Sequence, residues 1–164
     1  MNAPIPDNDE ARLEVLKQYR ILDTAAEKVF DDITTLAAEV CETPISVLSF
    51  IDRDRRWAKS NVGLSQQEAG RDISLCSYAI LQNDLLVVPD ARADERFAHN
   101  PGVTAEPGVR FYAGMPLVTP EGLAIGTLCV VDHVPRQLTE EQANKLRALA
   151  GSAMILLEVR RRRS

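Results

Sequence analysis

The run Ile45-Ser46-Val47-Leu48-Ser49-Phe50-Ile51 constrains the fold more than any other part of the chain. It is rich in β-branched and apolar side chains, and apolar residues stand at both odd and even positions. The strand it predicts therefore has no face that can be left in water. Such a strand needs a neighbour along each edge and a packed layer above and below. A chain of 164 residues is long enough to supply both layers as one domain, without disulfide or metal staples.

Helical segments flank this strand region. A short helix is expected after Pro6, with Asp7 as N-cap and Glu10 three residues on, and with Leu13, Leu16 and Tyr19 on one face. Thr24-Ala25-Ala26-Glu27 reads as a capping box for a second helix, whose stripe is Val29, Phe30, Ile33, Leu36, Ala37, Val40 and Cys41. Pro44 ends it. Asp52 to Arg55 form a charged turn into a second strand around Trp57 to Val62, and residues 65–72 read as loop. A short helix over Ser74 to Gln82 and a strand over Leu85 to Val88 follow. Two further strands are expected, Arg110 to Val118 with Pro116 at an edge or bulge, and Leu123 to Val131 with Gly126 at a bulge or close approach. The last helix starts at the capping box Thr139-Glu140-Glu141-Gln142 and carries Leu146, Leu149, Ala150, Ala153, Met154, Leu156, Leu157 and Val159. Hairpins with short connections imply an antiparallel sheet, so the fold class is α+β.

Composition and charge narrow the function. Apolar residues make up 45% and charged residues 26%, and the net charge is −5. This is the mix of a globular protein, and its acidic balance argues against nucleic acid or an anionic membrane surface as partner. The N-terminal residues show no secretory pattern, and no apolar run approaches the length of a membrane span. Cys41, Cys76 and Cys129 are odd in number and sit among apolar residues, which fits reduced thiols and a cytoplasmic location. Together with His99 and His133 they lack metal-ligand spacing, and no glycine-rich phosphate loop is present. The carboxylates Asp52, Asp54, Asp90, Asp94 and Glu95 are interleaved with arginines, as in solvated loops with local ion pairs. Asp90 also reads as a turn cap. The basic run Arg160 to Arg163 reads as a helix end or the start of a linker.

Residues 90–109 are polar, charged and rich in turns, and a connection of this length inside a compact domain is usually functional. This connection and the helix at residues 74–82 flank one strand and so emerge close together. They roof either a small-molecule pocket or a filled core, and the sequence leaves both open. Arg110, Phe111, Tyr112, Thr127 and Cys129 stand on the strands that supply its floor.

Several motifs resemble those of bacterial GAF domains, in order and spacing. They are Ala11-Arg12-Leu13 with Tyr19 to Thr24, Ile45 to Asp52 with Trp57, Ser74 to Ile80, Val87 to Ala91, Arg96-Phe97, Asn100-Pro101, Arg110 to Gly114 and Gly126 to Asp132. The resemblance covers residues 11–160, leaving residues 1–10 as an N-terminal extension and 161–164 as a basic tail. It implies a profilin-like, PAS-related antiparallel sheet of about six strands with helices on both faces. It also implies a regulatory module that senses a small molecule and commonly precedes a histidine kinase or diguanylate cyclase output domain. Terminal helices on one face would form a homodimer. The pocket on the other face would draw on Ser74, Cys76, Tyr78, Asp90, Arg96, Arg110, Tyr112, Thr127 and Cys129.

The residues name no cofactor. Asp94-Glu95 alone does not reproduce the constellation of cyclic-nucleotide-binding members, and no cysteine has a bilin-attachment context. Tyr78 stands where this subset often has His. No catalytic constellation is evident, so the chain is read as a non-enzymatic module. The alternatives are a thiol enzyme resembling the free-methionine-sulfoxide reductases, although their glycine-rich cysteine motif is missing, and a ligand-free dimerisation module.

Overall fold

The computed structural model describes residues 3–163. Two helices, α1 (Asp9–Tyr19) and α2 (Lys28–Cys41), lead into the hairpin of β1 (Ile45–Ile51) and β2 (Arg55–Val62). A short β3 (Glu68–Gly70) and α3 (Cys76–Ala79) precede β4 (Leu86–Val88) and α4 (Pro101–Thr104). A second hairpin, β5 (Phe111–Val118) and β6 (Ala124–Asp132), runs into the long α5 (Glu140–Arg162). The six strands form one antiparallel sheet in the order β3-β2-β1-β6-β5-β4. This is the α+β, GAF-like architecture that the motifs imply.

β1 is buried at every position and lies between β2 and β6, as its two apolar faces require. Alternation sends Leu48, Phe50, Trp57, Leu128 and Val130 to one face, where Leu16, Phe30, Ile33, Leu146 and Leu157 of the three long helices cover them. Val47, Ile51, Ala58, Tyr112 and Cys129 point to the other face, beneath α3, α4 and the loops. The β1–β2 register shifts between Leu48 and Ser49, whose partners are Ser60 and Ala58. Lys59 is therefore the extra residue of a β-bulge. The bulge turns its ammonium into the helix layer, where it pairs with Glu27 at 2.7 Å.

Local signals fail where a tertiary partner competes for the same atoms. The Thr24 box does not start α2, which begins at Lys28 with Glu27 as a cap lacking a side-chain hydrogen bond. The Thr24 hydroxyl instead donates to the Ile21 carbonyl and accepts from Lys59. Asn8 rather than Asp7 stands at the N-cap of α1, and Asp9 ties Arg12 and Arg71 together. Residues 65–72, expected as loop, contain edge strand β3, and the helix expected over residues 74–82 contracts to α3. The 90–109 connection carries the turn expected near Asp94, together with a 3₁₀ turn at Ala91–Ala93 and α4. Of the α2 stripe, Val29 and Leu36 remain exposed.

Other signals correspond to what forms. The capping box at Thr139 is complete, with Thr139 and Gln142 bonded reciprocally. β4 reaches only to Gly114, so β5 is a sheet edge where Pro116 removes a donor. α5 continues to Arg162, which makes the first half of the expected basic tail helical; Ser164 lies outside the described residues. Arg160 donates to the Tyr19 and Arg20 carbonyls and pairs with Glu27, fastening the end of α5 to the end of α1.

Gly126 pairs with Phe50 in the central β1–β6 ladder, and a Cβ there would fall on the Ser49 carbonyl oxygen. Gly151 lies in α5 with open space around its Cα. Urea unfolding is expected to show Gly126→Ala destabilised by about 1–3 kcal/mol through backbone overpacking. Gly151→Ala should be stabilised by about 0.5–1 kcal/mol through helix propensity.

Candidate functional site

The two faces of the sheet are covered differently. Long helices fill one side, whereas short elements and loops span the other and leave a cavity of about 410 Å³ between them and the strands. Val47, Cys129, Val131 and Tyr112 form part of the floor, and Ser74, Leu75 and Cys76 of the α3 region form part of the roof. The connection before β5 closes a further side through Asn100, Ala105 and Val109. Its course is fixed by polar contacts: the Asn100 amide donates to the Ile73 carbonyl at 2.7 Å, and its oxygen accepts from Gly102. Arg110 donates to the Val103 carbonyl at 2.6 Å.

A cluster of hydroxyls and thiols lies at the floor. The Tyr112 hydroxyl donates to the Cys76 sulfur at 3.2 Å, and the Cys76 and Cys129 sulfurs are 3.9 Å apart. The Ser49 hydroxyl lies 3.4 Å from that of Thr127 and 3.9 Å from Cys76. Tyr112 can lie along its strand because the next residue on that face is Gly114, where any Cβ would overlap the phenol. Hydrogen bonding from Cys129 favours a thiolate at Cys76 and lowers its pKa against the opposing effect of burial; the Arg56 charge, Thr127 and Tyr112 act in the same direction. The coupling pushes Cys129 up, because its proton is held by the bond to Cys76 and its burial adds to the shift. Burial likewise raises Tyr112. Cys41 lies on the helix side, where burial pushes its thiol up to about 11.

Of the residues assigned to the pocket, Ser74, Cys76, Tyr112 and Cys129 line the cavity, and Thr127 joins the buried cluster beside it. The other four stand elsewhere. Tyr78 packs edge-on against Phe97 with ring centroids 4.8 Å apart, and Arg96 covers the same ring while pairing with Asp94. Asp90 caps the 3₁₀ turn by accepting from the Arg92 amide, the turn-cap role its position suggests. Arg110 braces the connection through backbone carbonyls rather than facing the hollow.

Arg56 at the cavity wall is absent from the sequence-based set. It adjoins an obviously charged turn, which masks it. The signal lies in alternation: Arg56 and Ala58 share the face opposite Trp57 on a strand buried on both sides. Among the described residues no group of His, Cys, Asp and Glu is arranged to hold a metal ion. No helix among the described residues is long and apolar enough to cross a membrane.

One sheet face filled by long helices and the other left hollow under short helices and a braced loop define the class of α+β domain. The GAF domain profile matches residues 25–157, and the chain belongs to that family. It is 41% identical over 133 residues to the cyclic di-GMP phosphodiesterase PA2567 of Pseudomonas aeruginosa; the match takes in 81% of this chain and 23% of that protein, so the chain spans about a quarter of its relative. The GAF domain of an Acinetobacter phosphoenolpyruvate-protein phosphotransferase superposes with TM-score 0.66 at 15% identity, covering 94% of this chain and 95% of that one. A free methionine-R-sulfoxide reductase from Neisseria meningitidis, solved with its substrate, gives TM-score 0.66 at 18% identity over 100% and 98% of the two chains. At these identities the two structures share the fold with this chain.

The thiols differ in their surroundings, and that difference is measurable. With iodoacetamide at neutral pH, mass spectrometry of the native protein is expected to find Cys76 modified first. Cys41 should resist until denaturant is added. Equal rates at the two positions would contradict the arrangement described.

Proposed function

We propose that this chain is the ligand-sensing regulatory domain of a larger cytoplasmic signalling protein, with the cavity on the α3 face as its receptor site. The observation that carries this reading is the 410 Å³ hollow beneath α3 and the connection before β5, on a sheet whose opposite face is filled. Family membership and the similarity to part of a cyclic di-GMP phosphodiesterase support a regulatory role. The output would be cyclic di-GMP turnover, either by hydrolysis, as the relative's name states for that protein, or by synthesis in a diguanylate cyclase domain. A histidine kinase is the other output class the family resemblance suggests.

A ligand changes output only if it has different affinities for two arrangements of the domain. The long helices supply a surface through which such arrangements are coupled to a second copy. Ile155 is 66% exposed on α5, and Val159, Val29 and Leu36 are exposed on α5 and α2. We assign this face to a homodimer contact. Light scattering is expected to show a dimer that Ile155→Glu converts to a monomer, and a monomeric wild type would refute the assignment.

Thiol chemistry is the second reading, favoured by the 3.9 Å separation of Cys76 and Cys129 at the cavity. Reduction of a bound sulfoxide to the thioether would oxidise these two thiols to one disulfide and release water. Incubation with free methionine sulfoxide should leave the thiol count unchanged if the domain only senses. Loss of two thiols per sulfoxide reduced would favour the enzyme.

The receptor reading itself is tested with N-phenylnaphthylamine, a neutral apolar fluorophore. Saturable binding is expected in the wild type, with loss of about tenfold or more in affinity in Ala105→Trp, which places an indole at the exposed edge of the cavity. Undiminished binding in that variant would remove the cavity from consideration.

A further inference from the structure

Among the described residues five cationic side chains are buried: Arg12, Arg56, Lys59, Arg71 and Arg110. Four have a carboxylate within ion-pair distance: Asp9 serves both Arg12 and Arg71, Glu27 serves Lys59, and Glu106 lies 3.7 Å from Arg110. Arg56 is the exception. It is 6% exposed, has no ion pair or hydrogen bond from its side chain among the described residues, and its Nη1 is buried without any acceptor.

Its place explains why no carboxylate reaches it; within the protein its charge acts on the Cys76 and Cys129 thiols. Arg56 stands between Ile51 of β1 and Ala69 of β3, at the wall of the cavity, and no Asp or Glu lines that cavity. The other polar groups there are largely engaged. The Ser74 hydroxyl accepts from the Cys76 amide, the Asn100 side chain is bonded to Ile73 and Gly102, and His133 Nδ1 faces the Gly108 carbonyl. An unpaired guanidinium at such a site carries a large desolvation penalty, which a bound anion relieves. Guanidinium geometry suits planar or tetrahedral oxyanions through paired N–H donors.

We propose that the cavity takes a small organic anion, with Arg56 holding a carboxylate, sulfonate or phosphate head and the apolar wall around Val47, Leu75 and Val131 holding its body. This inference rests on the reading of the cavity as a receptor site and adds the ligand's charge and orientation. The chain's net charge of −5 does not attract anions, so anion selection arises from Arg56 inside the hollow rather than from the surface field.

The test uses two fluorophores that share an apolar body. Anilinonaphthalene sulfonate is anionic and N-phenylnaphthylamine is neutral, and only signal abolished by Ala105→Trp is counted as cavity binding. The wild type is expected to bind the anionic probe about tenfold tighter than the neutral one, as a charge-assisted hydrogen bond to a buried site allows. Arg56→Met and Arg56→Gln should each bring the ratio of the two affinities close to one, in protein whose circular dichroism matches the wild type. Equal affinities of the two probes for the wild type would overturn the proposal without reference to any variant. An undiminished preference in either folded variant would overturn it too, and in both cases the receptor reading stands. Absence of saturable cavity binding by either probe would overturn the proposal and the receptor reading together.

Discussion

The β1–β6 ladder at the centre of the sheet is buried on both faces, and this condition organises the rest of the molecule. A pair of strands without a wet face has to be covered twice. The chain provides two covers of different quality. Three helices of at least 11 residues give continuous apolar stripes to one face and fill it. The other face is spanned by four-residue helices and loops, which cannot project enough side chains to fill the space beneath them. Close approach of the ladder at Gly126 and the bulge at Lys59 both serve the filled side. The hollow follows from short elements over a flat apolar floor.

Two forms of electrostatic accounting accompany these two covers. On the helix side, buried charge is neutralised within the protein: Lys59 reaches Glu27, which also accepts Arg160 from the end of α5. This network fixes where α1, α2 and α5 meet. On the hollow side, Arg56 is buried beside the Cys76–Cys129 pair with no carboxylate among the cavity residues. The hollow therefore presents an unpaired guanidinium at one wall and mostly apolar surface elsewhere. Because β1 contributes to both layers, a shift of its backbone on binding would be felt by α2 and α5 through contacts of Leu48 and Phe50.

Much of this was readable from residue order, for identifiable reasons. Ile45–Ile51 and the Thr139 box carry signals whose competing interactions are weak, so local preference and tertiary structure agree. Thr24 carries an equally good local signal, but the Lys59 ammonium takes its hydroxyl and α2 starts later. β3 has three residues without alternation and exists because β2 offers it an edge. At the site, Cys76, Tyr112 and Cys129 lie on the short helix or the floor strands, and Ser74 directly precedes that helix, so their positions were legible. Tyr78, Asp90, Arg96 and Arg110 belong to the same motifs yet serve the loop, packing and capping it. Motif membership does not separate residues that shape a cavity from those that face it. Arg56 was hidden by the charged turn it adjoins, although alternation with Trp57 places it on the hollow face of β2.

The central claim is that the space between this sheet and its short-helix cover admits a guest. Backbone amide NMR during titration with N-phenylnaphthylamine tests it most directly. The account requires saturable shift changes concentrated at Val47, Leu75, Val109, Tyr112 and Cys129, around the hollow. Changes confined to the exposed faces of α2 and α5, with those amides unmoved, would contradict it.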